Sequence, residues 1–206
     1  MIVQFHKPRG CITAKKDDRH RTVMEYFPEK LREQLHPVGR LDLDTEGILL
    51  LTDDGKLDER LLHPANRVPK RYFFRAFGTL DEEKCRKLES GIRMTNGHMT
   101  LPAKVTVGEA GKVRESAAFF PERIRLRSLK NPEGDVVSGE LILTEGKTHE
   151  VKRMLQGVGC CVYYLKRMSI GGLELDPTIP PGGFRVLNEA ECRALFAYPK
   201  SEQEEA

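Results

Sequence analysis

The chain has 206 residues, of which 39% are hydrophobic and 32% charged, so it can bury a core and is too apolar for a disordered protein. Its net charge of +3 permits a polyanionic partner without requiring one, and five irregularly spaced cysteines argue against a disulfide framework. With no signal peptide, and no aliphatic run long enough to cross a membrane, we expect a cytoplasmic protein that contacts no membrane.

Strand-like runs alternate irregularly with a few helices along the chain. The strands are rich in β-branched and aromatic residues and comprise IVQFH, GILLLT, RYFFRAFG, AKVTVG, RIRLRSL, GELILT, CVYYL and FRVL. Thr79 and Glu82 predict a capping box before DEEKCRKLES, Thr148 predicts the start of HEVKRMLQG, and Asn188 with Glu191 predicts a last helix. Because this order lacks the regular alternation of a parallel sheet, the predicted fold class is α+β with a mixed, largely antiparallel sheet.

The segment HPVGRLDLDTEGILLLTDDG, residues 36–55, places five acids beside one arginine and has three interpretations. Read as a calcium-binding loop, the segment has Asp42 at position 1 and Asp53 at position 12. It lacks the two helices that flank such a loop, so we expect no metal site. As a hairpin, GILLLT is a buried strand, DDGK is a turn with Gly55 at its tight position, and the acids are solvated. If LDLD is extended, Arg40 and Asp42 point to one face, where the guanidinium keeps the carboxylate ionised for chemistry. The hairpin is favoured for the other acids, whereas for Asp42 the spacing alone is only a weak sign of chemistry, because R-x-D pairs are common and usually structural.

Together with its neighbours, this segment resembles the GRLD motif of pseudouridine synthases, in particular the RsuA/RluB/RluE branch that modifies ribosomal RNA. FHKPRG resembles the family's first motif, KRYFF its K-x-Y motif, and EGKTHEVKRMLQGVG its basic helix; YLKRMSIGGLEL and PPGGFRVL resemble its last two motifs. The resemblance implies the pseudouridine synthase catalytic fold over residues 1–198, in two lobes with flanking helices and a central active-site cleft. Residues 199–206 are expected to be a charged, disordered tail.

The resemblance also implies a function. Members detach uracil from a uridine of RNA, rotate it and rejoin it through C5, without a cofactor or metal. Asp42 resembles the family's catalytic aspartate, a nucleophile or base. Tyr72 resembles the pocket aromatic, although without the family a core position would be favoured. Lys152 resembles the basic residue that pairs with the aspartate, and Arg40 the arginine that fills the space of the flipped-out base.

Other basic residues of the motifs are predicted to contact RNA phosphates, which gives salt-dependent affinity with little sequence information. They are Lys7, Arg9, Lys70, Arg71, Arg153 and Arg167. RIRLR, residues 123–127, is equally consistent with an RNA surface and a solvated strand face.

The expected partner is ribosomal RNA or a ribosomal-subunit assembly intermediate. Many members carry a small S4 RNA-binding domain before the first motif, and here that domain is expected to be missing because the motif begins at residue 5. The residues of the late motifs slightly favour small-subunit over large-subunit ribosomal RNA as the substrate. The protein is expected to be a monomer.

Two other functions fit parts of the sequence. One is a catalytically silent RNA-binding protein on the same fold. The presence of Asp42, Tyr72 and Lys152 together argues against it, because binding alone needs no nucleophile. The other is a glycosidase that uses a pair of carboxyl groups, but no second motif offers an acid to act with Asp42.

Overall fold

A computed structural model describes residues 1–94, 97–122, 124–125 and 130–198. The chain forms two compact units, the first built from Met1–Lys70 together with the chain from Arg167 onward, and the second from Arg71–Lys166. The predicted tail at 199–206 lies outside the described residues. So does most of the predicted strand RIRLRSL, whose two described residues, 124 and 125, are helical.

Strands and helices interleave irregularly along the chain. The strands are β1 (Ile2–Lys7), β2 (His36–Val38), β3 (Glu46–Thr52), β4 (Lys70–Phe77), β5 (Lys104–Lys112), β6 (Asp135–Leu143), β7 (Cys161–Ile170), β8 (Leu173–Glu174) and β9 (Phe184–Val186). The α-helices are α1 (Glu29–Gln34), α2 (Gly55–Leu62), α3 (Glu82–Ser90), α4 (Val113–Ser116), α5 (Glu150–Gly157) and α6 (Glu189–Ala194). The pairs β1–β3, β1–β9, β2–β3, β5–β6 and β7–β8 are antiparallel, as predicted for the α+β class.

In the first unit, β1 lies between β3 and β9. Strand β3 is buried from Gly47 to Thr52, which explains its uninterrupted aliphatic run. On one face, Ile48 and Leu50 share a core cluster with Leu57 and Leu61, which lie four residues apart on α2. Both faces of β3 are therefore covered, and the loop that leads into this strand joins a buried part of the sheet.

Helices α2 and α3 begin differently from the predictions. Asp54 caps α2, and its carboxylate accepts a hydrogen bond from the amide of Lys56 at 2.9 Å, so DDGK begins a helix and the predicted hairpin is wrong. Asp81, not Thr79, caps α3 and accepts from the amide of Lys84 at 2.9 Å. The capping box predicted before α6 is confirmed.

In the second unit, the strands follow the order β5-β6-β4-β7. Strand β4 alternates between buried and half-buried residues, which places its side chains on two distinct faces. An aromatic cluster joins Tyr163 to Phe77 and Phe120, with 4.8 Å between ring centroids in both pairs.

Helix α5 begins after His149, which is its N-cap in the left-handed conformation with φ of 56°. The predicted cap, Thr148, is therefore one residue too early. The buried face of α5 includes the predicted pair Val151 and Leu155, together with Met154. No helix in the described ranges is long and apolar enough to cross a membrane.

Candidate functional site

Asp42 lies on a turn between β2 and β3. The amide of Thr45 donates to the carbonyl of Asp42 at 3.1 Å, so residues 42–45 form a turn, and the extended LDLD segment that would put Arg40 and Asp42 on one face is not formed. The Thr13 hydroxyl donates to the Leu41 carbonyl at 2.9 Å and accepts from the Leu41 amide at 3.1 Å. Leu41 and Thr45 are buried, whereas Asp42 is half-buried. The backbone is thus fixed on both sides of Asp42, a residue that is only partly buried.

Lys7 lies at the end of β1, and its buried side chain contacts the same turn. It is 0% exposed, and its ammonium donates to the carbonyls of Pro8 and Asp42 at 3.0 Å and of Thr45 at 2.8 Å. A buried ammonium is stable only when its donors are satisfied, and three carbonyls satisfy all three of them. Lys7 therefore ties the first strand to both ends of the turn that carries Asp42.

The acids of residues 42–46 have an electrostatic function that their sequence did not show. Burial lowers the pKa of Lys7, and the carboxylates of Asp42, Asp44 and Glu46 partly offset this shift by favouring the charged ammonium. Asp44 and Glu46 are half-buried, not fully solvated as predicted. These acids thus stabilise the charge of Lys7, which lies about 35 residues earlier in the chain.

The remaining acids have separate roles. Asp53 forms an ion pair with the N-terminal ammonium at 2.5 Å, and Asp54 caps α2. Within the described part of the chain, no three His, Cys, Asp or Glu side chains are grouped so that they could hold a metal ion.

Tyr72 belongs to the second unit, on the buried face of β4. The residue is 9% exposed and shares that face with Phe74 and Ala76. Burial of this degree fits a pocket wall as well as a core position. Arg71 lies on the opposite face, where its guanidinium pairs with Glu140 of β6 at 2.5 Å.

Helix α5 carries Lys152 and Arg153 on different sides. Lys152 is half-buried, and Arg153 is exposed. In the first unit, Arg9 is half-buried and Arg40 is exposed. Burial of this degree is compatible with reaching an RNA substrate, and Arg71, which is also half-buried, meets the same condition.

Three of the predicted phosphate contacts do not fit the structure. Lys7, Lys70 and Arg167 are buried, and each donates to a backbone carbonyl; for Lys70 the acceptor is Val68 at 3.0 Å, and for Arg167 it is Ile48 at 2.8 Å. A cation in this position stabilises loops and strands and does not present its charge to a phosphate. No sequence signal distinguishes these buried cations from the exposed ones.

Comparison with known proteins identifies the family. The model of the family described as RNA pseudouridylate synthase matches residues 1–157. The chain belongs to the RNA pseudouridylate synthase family. It is 39% identical over 196 residues to the uncharacterized RNA pseudouridine synthase YtzG of Bacillus subtilis, a match that covers 95% of this chain and 73% of that protein.

Two further relatives are named for ribosomal RNA. The chain is 35% identical over 188 residues to the ribosomal small subunit pseudouridine synthase A of Pseudomonas aeruginosa, covering 91% of this chain and 70% of the relative. It is 34% identical over 193 residues to the ribosomal large subunit pseudouridine synthase B of Bacillus subtilis, covering 94% and 70%.

A solved structure agrees with these matches. The crystal structure of a pseudouridylate synthase superposes with a TM-score of 0.76 at 29% identity, over 94% of this chain and 73% of that chain. The fold and the enzyme class expected from the motifs are therefore confirmed. This pseudouridine synthase is an RsuA/RluB-type isomerase that converts uridine to pseudouridine in RNA.

Proposed function

We propose that this pseudouridine synthase modifies a uridine of ribosomal RNA and uses Asp42 as its catalytic carboxylate. The names of the two ribosomal relatives support the substrate class. The construction of the Asp42 turn supports the catalytic role. Lys7 and Thr13 hold the backbone from Leu41 to Thr45, while the Asp42 side chain is only half-buried. A carboxylate held still beside solvent is suited to act on a bound nucleotide.

The reaction is an isomerisation. The product retains every atom of the substrate except one proton, which is exchanged with solvent. The bond between N1 of uracil and C1′ of ribose breaks, the base rotates, and a bond forms between C5 and C1′. The proton on C5 is lost to solvent, and N1 gains a proton. Asp42 attacks the sugar, removes a sugar proton to assist glycal formation, or adds to the base, and each of these roles requires the ionised carboxylate.

The other site residues act around this carboxylate. Tyr72 provides an aromatic face for the uracil and a hydroxyl for the proton at C5. Lys152 supplies positive charge that favours the ionised aspartate. Arg40 occupies the space of the extruded base, and Arg9 and Arg153 contact phosphates.

Small-subunit ribosomal RNA is the first target to test. The ending RMSIGGLELDP supports this choice, although identity to the small-subunit and large-subunit relatives is nearly equal, at 35% and 34%. A pseudouridine map of ribosomal RNA from cells with and without the gene identifies the site. A position lost from small-subunit RNA supports the choice, and one lost from large-subunit RNA overturns it.

The catalytic role is tested with ribosomal RNA and ribosomal subunits labelled with tritium at C5 of uridine. The wild-type protein is expected to release tritium to water, and Asp42→Asn to lower the rate by at least about a thousandfold. Asp44→Asn is the matched control, since it removes the same charge from the same turn and is expected to stay within about threefold of wild type. Asp42→Asn with normal release would refute the role of Asp42. Release from no ribosomal substrate by the wild type would refute the substrate class.

A further inference from the structure

Two buried carboxyl groups meet at the start of α5 in the second unit. Glu145 follows β6 and is 9% exposed, and Glu150, the first residue of α5, is 4% exposed. Both oxygens of Glu145 accept from donors, one from the amide of Leu101 at 2.6 Å and the other from the ammonium of Lys147 at 2.6 Å. Both oxygens of Glu145 are therefore already occupied as hydrogen-bond acceptors.

The oxygens of Glu150 are in unequal environments. Its Oε2 accepts from the amide of Lys147 at 2.9 Å, whereas its Oε1 is buried and has no hydrogen-bond partner within the described residues. The side chain of Glu145 lies within hydrogen-bonding reach of the Glu150 carboxyl. Two adjacent carboxylates repel each other unless one carries a proton. Since the oxygens of Glu145 already accept from other donors, the proton belongs on Oε1 of Glu150, where it donates to Glu145 and removes the unsatisfied group.

We propose that Glu150 is a protonated positioning residue, whose hydrogen bond to Glu145 fixes the first turn of α5 and with it the direction of Lys152. This inference rests on the role proposed above for Lys152, two residues further along the helix. The turn that precedes α5 needs such support, because His149 holds a left-handed conformation with φ of 56°. Glu150 closes this turn through its side chain and through its amide, which donates to the carbonyl of Lys147 at 3.2 Å.

The arrangement depends on pH. Burial, followed by the hydrogen bond with Glu145, raises the pKa of Glu150 to about 7. The charged groups that face Glu150 are Glu145 and Lys147, and His98 contacts the ammonium of Lys147. Because the pKa is raised, the folded protein keeps a proton that the unfolded chain loses between about pH 4.5 and 7, and this group favours folding less as pH rises across that range. Above about pH 7, Glu150 ionises beside Glu145 and the bond between them is lost.

Hydrogen exchange at the amides of residues 147–151 tests the bond without reference to activity. In the wild type, protection corrected for intrinsic exchange is expected to fall at least about threefold between pH 6 and 8.5. Glu150→Gln is expected to keep its protection across this range, because the amide nitrogen donates to Glu145 at every pH. Glu89→Gln, an exposed change on α3 of the same unit, is the control and should behave as wild type. Equal pH dependence in the wild type and Glu150→Gln overturns the proposal.

Turnover tests the consequence for Lys152. Glu150→Ala is expected to lower kcat about tenfold with little change in KM, and Glu150→Gln to restore it. The ratio of the Glu150→Gln rate to the wild-type rate is expected to rise above pH 7, as the wild type loses its proton. A ratio that is constant with pH overturns the positioning role, even if melting temperatures differ. If hydrogen exchange follows the expected pattern but Asp42→Asn remains active, the proposed function fails and the Glu145–Glu150 bond stands. If Asp42→Asn is inactive but hydrogen exchange does not follow the expected pattern, only the Glu145–Glu150 bond is refuted.

Discussion

The variant Lys7→Met distinguishes between two roles for Lys7, a structural role in the fold and a contact with an RNA phosphate. Methionine has nearly the length of lysine and can occupy its apolar channel, but it cannot donate to the three carbonyls. The carbonyl of Asp42 keeps the amide of Thr45 as a donor, and the carbonyl of Pro8 keeps only the weak thiol donor of Cys11 at 3.5 Å, whereas the carbonyl of Thr45 loses the ammonium. The variant therefore removes the hydrogen bonds that tie β1 to the Asp42 turn.

The expected loss of stability follows from these hydrogen bonds. A buried carbonyl left without a donor costs about 1–3 kcal/mol, which applies in full to Thr45, and the Pro8 carbonyl, left with a weak thiol donor, adds about 1 kcal/mol. Relief from burying an ammonium offsets part of this, since desolvation of a charge costs several kcal/mol. A net loss of about 2–3 kcal/mol is expected, a large part of the 5–15 kcal/mol that is typical of a folded domain. Because the turn that carries Asp42 loosens, kcat is expected to fall at least about tenfold.

Urea unfolding and tritium release measure both effects in one set of variants. Lys16→Met is the matched control, because it makes the same change at an exposed position of the N-terminal segment and should alter neither quantity appreciably. If Lys7 contacted RNA phosphates instead, Lys7→Met would leave stability and kcat unchanged, weaken RNA binding and lower its salt dependence. An unfolding free energy within about 0.5 kcal/mol of wild type would refute the structural role.

Two further predictions concern the first unit. Hydrogen bonds from Thr178 and Arg185 lower the pKa of Asp176 to about 2, so its contribution to stability is present above about pH 4 and is lost as pH falls toward 2. Asp176→Asn should therefore flatten the fall of the urea midpoint with acid, and a variant that follows the wild-type curve would contradict this. Gly47→Ala should cost more than about 3 kcal/mol in urea unfolding, because Gly47 has φ of 112° and a Cβ there would overlap the backbone of β7. Gly55→Ala, at a helix start with open space around it, is the control and should be neutral or stabilising by up to about 1 kcal/mol; equal losses in both variants would contradict the steric explanation.

Local patterns predicted most of the secondary structure. The aliphatic and aromatic runs became β1, β3, β4 and β6, because side chains that are buried on one or both faces of a sheet leave a strong local signal. Helix starts were less predictable. An Asp-Asp-Gly sequence can turn a hairpin or cap a helix, and the choice at Asp54 depends on the apolar pair Leu57 and Leu61 finding a core to pack against.

The sequence predicted which residues belong to the site, but not the hydrogen bonds that hold them in place. The motifs pointed to Asp42, but the burial of Lys7 depends on carbonyls contributed about 35 residues later, which no local pattern reveals. Lysine beside proline and glycine is typical of a surface loop, so a phosphate contact was the natural expectation. The shared proton of Glu145 and Glu150 likewise depends on donors from Leu101 and Lys147 that meet only in the folded chain.

The discontinuous first unit has a consequence for protein synthesis. Strand β1 is translated well before its neighbour β9, and the whole second unit lies between them in the chain. The second unit is contiguous, so all of its residues emerge before the first unit has its full set of strands. Nascent domains fold as units once their sequence is available. The later sequence therefore completes its fold first, and the residues around Asp42 wait for a strand translated more than a hundred codons downstream.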